Sequence, residues 1–220
     1  MKSLTEIKND IIPTEQHKYG LEYHCFVPLT INNEKVINHF ILFCKNTGLL
    51  IKYDEQNKIF NYEKLPICPA LSDVTSYSFV HLYDFIFLFG GKNTIRQERI
   101  KKIYKYSMKE KTWNECKLTL PMEISASLAI LSDDNTNVHV IGGRNIKDEK
   151  EKMHVSVNVD QLFEKAELLK MIQELKKEIK ILKLERSYTI PIEKERMIED
   201  EKKNNDTVAI PEECKKMKTQ

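Results

Sequence analysis

The sequence predicts a mainly β protein built from repeated four-stranded antiparallel units, followed by one long α-helix and a charged tail. Three observations carry that expectation. Ile12-Pro13, Leu65-Pro66 and Leu120-Pro121 recur at spacings of 53 and 55 residues, and a repeat of that length marks a chain assembled from supersecondary units. A diglycine at Gly90-Gly91 returns 52 residues later at Gly142-Gly143. Beyond Gly143 the hydrophobic period changes from that of a strand to that of a helix. Of nine Tyr, nine Phe and one Trp, only Phe163 and Tyr188 lie there.

Taken in order, residues 4–12 read as a possible last strand of a preceding unit, closed by Pro13, which has no N–H to donate to a ladder. The first unit, about 21–66, offers strands at 23–29, 39–43, 49–53 and 59–62. The second, 72–121, is the clearest. A strand at 76–82 and a turn at Tyr83-Asp84 lead into Phe85-Ile86-Phe87-Leu88-Phe89, a continuous apolar run suited to a strand buried on both faces. Gly90-Gly91 ends it, permitting positive φ and close backbone approach. A polar loop, 92–101, precedes a third strand ending at Tyr106, and the fourth carries Trp113. Tyr106 to Trp113 is seven residues, as is Tyr53 to Phe60, so the aromatic pair repeats in register, while Cys44-Lys45 stands where the first unit's diglycine belongs. The third unit, 122–143, supplies strands at 125–131 and 138–141, then Gly142-Gly143, and reads as half a unit.

Residues 144–157 are highly charged and read as a linker. A helix is expected over 158–187, capped by Asn158 or Asp160, with Gln161 in the capping-box position for Asn158. Leu168, Ile172, Leu175, Ile179 and Leu182 follow a 4, 3, 4, 3 spacing, with isoleucine at heptad position a and leucine at d, the pattern of a parallel two-stranded coiled coil. Lys165 and Arg186 occupy the flanking a positions, so the seam is about three heptads long. Docking of the same stripe on the chain's own sheets and a solvated, frayed helix are the rival readings. Residues 188–220, with Pro191, Pro211 and mixed charge, read as a disordered tail.

Composition narrows the function classes. A chain of 220 residues, 41% hydrophobic and 31% charged, has the balance of a soluble globular protein. A net charge of +2 provides no field that argues for nucleic acid or an anionic membrane. The first residues are too polar for a signal peptide, and His81 and Asp84 break the most apolar run, so a cytoplasmic location is expected. Five cysteines, scattered and never spaced C-x-x-C, suggest reduced thiols, not a disulfide framework or a zinc knuckle.

Motifs for chemistry are weak. Gly90-Gly91-Lys92-Asn93-Thr94 lacks the upstream glycine and the Ser/Thr of a phosphate loop, and a strand follows it. His17, His24, His39, His81, His139 and His154 show no i, i+4 pairing and read as structural or exposed. Asp133 to Asn137 reads as a hairpin loop, since the Gly and distal Glu of a calcium loop are missing. No catalytic residue, metal site or cofactor is therefore expected, and the chain is read as a non-enzyme.

A hydrophobic run into Gly-Gly, then Tyr, then Trp seven residues later, at a period near fifty, resembles the kelch repeat. The resemblance spans roughly 12–143. It is full at Gly90, Gly91, Tyr106 and Trp113, partial at Gly142-Gly143, and weaker at Tyr53 and Phe60. It implies a β-propeller in which each unit is one blade. A closed ring normally takes at least four blades, so this chain would supply part of one, as a truncated product or one completed by another copy. The function it implies is protein–protein interaction through the blade loops; the heptad seam adds a helix at 160–186 that joins two chains or recruits a partner. Kelch proteins that recruit substrates to ubiquitin ligases offer an alternative, although no BTB or F-box segment is visible before residue 20. A degenerate fragment without independent function is the other.

Overall fold

The computed structural model describes residues 23–184 and is mainly β, with four antiparallel sheets and one helix. The chain divides into two compact bodies, Met1–Glu164, which holds all three strand units, and Lys165–Gln220. The strand expected at 4–12, the helix end at 185–187 and the tail at 188–220 lie outside the described residues.

In the first unit, β1 (Cys25–Ile31) and β2 (Glu34–Cys44) form a hairpin closed by Asn32 and Asn33, at φ 53° and 64°. Two left-handed residues suit the right-handed twist of the flanking strands, and Asn tolerates that region better than most residues. β2 thus begins five residues before the expected strand, absorbing a left-handed Asn38. β3 (Thr47–Asp54) and β4 (Ile59–Lys64) complete a sheet in the order β1-β2-β3-β4.

A 3-10 turn, Pro69–Leu71, leads to β5 (Val74–Thr75), β6 (Ser78–Leu82), β7 (Phe85–Phe89), β8 (Lys92–Asn93), β9 (Lys102–Ser107) and β10 (Thr112–Thr119). The second large sheet runs β6-β7-β9-β10, while β5 and β8 pair as a two-stranded sheet of their own. β6 alternates buried and half-buried residues, whereas Ile86 to Phe89 of β7 are all buried. That is the difference between a strand near the sheet's edge and one covered on both faces.

The third large sheet has three strands, β11 (Leu128–Leu131), β12 (Asn137–Ile141) and β13 (His154–Asn158). β13 corrects the expectation of a linker over 144–157 and of half a unit ending at Gly143. Val155 and Val157 alternate with His154, Ser156 and Asn158, a period of two, and Val157 is buried. The charged stretch ahead of it is the connecting loop. Asn158 does act as a cap, its side chain accepting from the Asp160 N–H at 2.9 Å, but what it caps is a 3-10 turn, Val159–Leu162. The α-helix, α1, begins at 165 and is described to 184, seven residues later than its expected start.

The sheets meet face to face through their side chains. Between the first two lie Val27, Ile41, Phe43 and Leu50 from one and Ile86, Leu88, Tyr104 and Tyr106 from the other. The Phe43 ring meets Tyr106 and Trp113 edge-on, each with centroids 4.8 Å apart. Tyr77 donates its hydroxyl to the Phe43 carbonyl at 2.9 Å, and Trp113 its Nε1–H to the Pro66 carbonyl at 2.8 Å. On the other face of the second sheet, Phe163 stands edge-on to Phe85 and Phe87, at 5.2 and 5.4 Å. The Lys105 ammonium lies 4.9 Å from the Phe163 centroid. A cation over a desolvated ring face is attracted by its quadrupole, which favours this position of the buried ammonium. Among the described residues no disulfide forms, and burial raises the Cys25 thiol pKa.

Candidate functional site

The diglycines sit at the ends of β7 and β12. Gly90 and Gly91 have φ of 64° and 116°, and Gly142 and Gly143 have 65° and 108°. Beyond φ, three of the four have no room for a side chain. A Cβ on Gly90 would come 2.5 Å from the Ile124 carbonyl oxygen, on Gly91 2.7 Å from Val74 Cγ1, and on Gly143 2.6 Å from Ile124 Cγ1. At Gly142 the nearest atom is 3.8 Å away. The second glycine of each pair thus seats the segment that leads into its own unit, Val74-Thr75 or Ile124-Ser125. Gly90 and Gly91 also receive the next unit's Ile124, whose carbonyl accepts from the Gly91 N–H at 2.8 Å. At Cys44-Lys45 the first unit has no such corner. Its β2–β3 connection is a two-residue turn in which Lys45 takes φ 53°.

Tyr53 pairs with Phe60 and Tyr106 with Trp113 directly across adjacent strands, with ring centroids at 4.8 and 5.0 Å. The Tyr106–Trp113 face meets Phe43 of the first sheet. Burial pushes the Tyr106 hydroxyl pKa up to about 12, with Glu63 adding to the shift. The corresponding face of the first sheet is its outer one, where Phe40, Phe60 and Tyr62 pack on Leu42, Leu49 and Ile51. Phe26 stacks on Phe40 at 5.3 Å.

The outer face of the third sheet is of a different character. Aligned on the diglycines and the strand register, Phe85, Phe87 and Phe89 of β7 correspond to Asn137, His139 and Ile141 of β12, and Ile103 and Lys105 of β9 to His154 and Ser156 of β13. Positions that are aromatic or buried in the second sheet are mostly polar here. Leu128, Ile130 and Ile141 remain, all exposed.

The loops after the diglycines are tied together. Arg99, buried, donates from Nε to the Ser125 hydroxyl at 2.8 Å and pairs with Asp148, whose backbone carbonyl accepts from Arg144 at 2.9 Å. This braces the second unit's long loop against the third unit's. At the β11–β12 turn, hydrogen bonds from Ser132 and Thr136 hold the Asp134 carboxyl down to about 2, an exposed turn anchored by its own side chains. Among the described residues no group of three or more His, Cys, Asp or Glu converges.

One pairing escaped sequence reasoning. His139 and His154, 15 residues apart, lie on adjacent strands with Nδ1 and Nε2 3.1 Å apart. A linker over 144–157 offers no strand register in which His154 meets His139. On the helix, Ile172, Leu175, Ile179 and Leu182 of the heptad seam are exposed and Leu168 is half-buried. Among the described residues no helix is long and apolar enough to cross a membrane.

No family model matches the chain, and no curated protein matches it. A solved structure titled "Structure of YjhT" is similar at 17% identity and a TM-score of 0.43, covering 55% of this chain and 36% of that one. The chain thus spans little more than a third of that structure's length.

Proposed function

We propose that the chain is a non-catalytic protein–protein interaction scaffold, in which kelch-like blades forming part of a β-propeller display their loops and α1 joins two copies of the chain. The propeller reading is supported by meandering sheets of similar register, by the diglycine at the end of each second strand in the last two units, and by cross-strand aromatic pairs seven residues apart. The observation that carries the association is the seam of α1. Its Ile172, Leu175, Ile179 and Leu182 side chains are 46%, 48%, 51% and 62% exposed. A helix of this length with such a stripe in water gains by burying it against a second helix. Glu178 at g then reaches Lys183 at e of the partner helix.

Sedimentation of the intact chain tests this. A dimer is expected, and the double variant Ile172→Lys, Ile179→Lys is expected to be a monomer with an unchanged β-sheet melt, because charge at a positions is costly to bury. A monomeric intact chain would overturn the role of α1.

A further inference from the structure

We propose that His139 and His154 form a two-imidazole site for a divalent first-row transition-metal ion on the outer face of the third sheet. The two residues stand diagonally across the β12–β13 ladder, where His139 is opposite Ser156 and Ile141 opposite His154. Five consecutive cross-strand pairs, from Asn137–Asn158 to Ile141–His154, fix that placement on regular backbone. Both imidazoles lie on the outer face, His139 half-buried and His154 exposed, and neither fills the core.

The separation suits shared coordination. Two nitrogens 3.1 Å apart, each about 2.05 Å from one ion, subtend roughly 100° at the metal, between the square-planar and tetrahedral angles. The ring centroids are 5.2 Å apart and the planes 47° to one another. Rotation about each Cβ–Cγ bond therefore turns a nitrogen-to-nitrogen hydrogen bond into two lone pairs directed at a common point. The proton balance is simple. In the neutral pair one facing nitrogen carries the shared hydrogen; that ring moves it to its other nitrogen when the ion enters, and no net proton is released.

The surroundings define the class of ion. His139 is flanked by Ile130 on β11, and His154 by Ile141 on β12, so apolar side chains border the pair. In the proposed site the two imidazoles are the protein ligands among the described residues, and the remaining positions are open to water. Two imidazoles with water favour copper(II) over nickel(II) and zinc(II), following the general affinity order, and do not hold magnesium or calcium, which require oxygen ligands.

The experiment is a calorimetric titration of the full, tag-free chain with copper(II), with electron paramagnetic resonance of the one-equivalent complex. Expected are one tight equivalent with hyperfine coupling from two imidazole nitrogens, weaker binding of nickel(II) and zinc(II), and no competition from excess magnesium. His139→Asn and His154→Gln should each weaken that equivalent at least tenfold, the double variant little further, and His39→Asn should leave it unchanged. Metal-free melts of the single variants establish that each is folded, and two positions give two independent readings. Wild-type copper affinity in a folded His139→Asn or His154→Gln protein, or a first equivalent without two-imidazole coupling, would overturn the site.

Discussion

At the scale of single residues, the diglycines separate two reasons for glycine. Gly90 and Gly142 have nearly the same φ, 64° and 65°, but a Cβ on Gly90 would lie 2.5 Å from the Ile124 carbonyl oxygen while one on Gly142 would meet nothing nearer than 3.8 Å. Gly142→Ala should therefore cost only the left-handed backbone penalty, about 1–2 kcal/mol. Gly90→Ala adds displacement of the next unit's leading segment, so its urea midpoint should fall distinctly further. Equal midpoints would mean that Ile124 yields freely. His81 provides a pH signature. Its Nε2 lies 2.9 Å from the Tyr83 carbonyl and 3.2 Å from Thr30 Oγ1, and burial lowers its pKa below the ordinary value of 6.5. The unfolded chain then binds the proton more readily than the folded one, so stability present above about pH 6.5 declines as pH falls from there towards the folded pKa. His81→Gln, which keeps a donor for Tyr83 without titrating in this range, should flatten the decline. An identical pH profile in the two proteins would assign the slope to other groups.

At the scale of elements, the chain after Gly143 differs most from its sequence reading. Strands with strong apolar runs, such as β7, and corners marked by diglycine were legible because one local pattern sufficed for each. β13 was not, because only two valines carry its period and charged residues surround it; its partner strand, β12, is what selects it. The late start of α1 has a similar cause. Asn158 is a good cap in any sequence, but Leu162 and Phe163 are buried at 2% and 8% exposure, which holds that turn in the β unit. The beginning of β2 was missed because Asn38 takes a left-handed φ that interrupts its alternation. It follows that Phe163 belongs to the packing of the β unit. Phe163→Ala removes its edge-on contacts with Phe85 and Phe87 and the ring beneath Lys105, and should cost about 3–5 kcal/mol in chemical denaturation. A chain ending at Glu164 should keep the parent's β melt, whereas one ending at Lys152, which lacks β13 and Phe163, should lose much of it. Indistinguishable melts for the two truncations would place β13 outside the cooperative unit.

At the scale of the whole molecule, the proposed association through α1 has a rival in the outer faces of the sheets, and those two faces are not equivalent. The third sheet's outer face carries Asn137, His139, His154 and Ser156 at positions that are apolar, aromatic or buried in the second sheet, so covering it would desolvate polar groups. The first sheet's outer face instead carries Phe26, Phe40, Phe60 and Tyr62. A head-to-tail array of copies would have to join these unlike faces, and such an interface is heterologous and open-ended unless the rotation closes a ring. A two-stranded coiled coil through α1 is isologous and stops at two. The two routes therefore differ in concentration dependence. With α1 as the joint, sedimentation should reach a plateau at the dimer, Ile172→Lys with Ile179→Lys should abolish it, and Phe26→Thr should leave it intact. If association runs through the sheet faces, size should keep rising with concentration, the helix variant should still associate, and Phe26→Thr should weaken the contact.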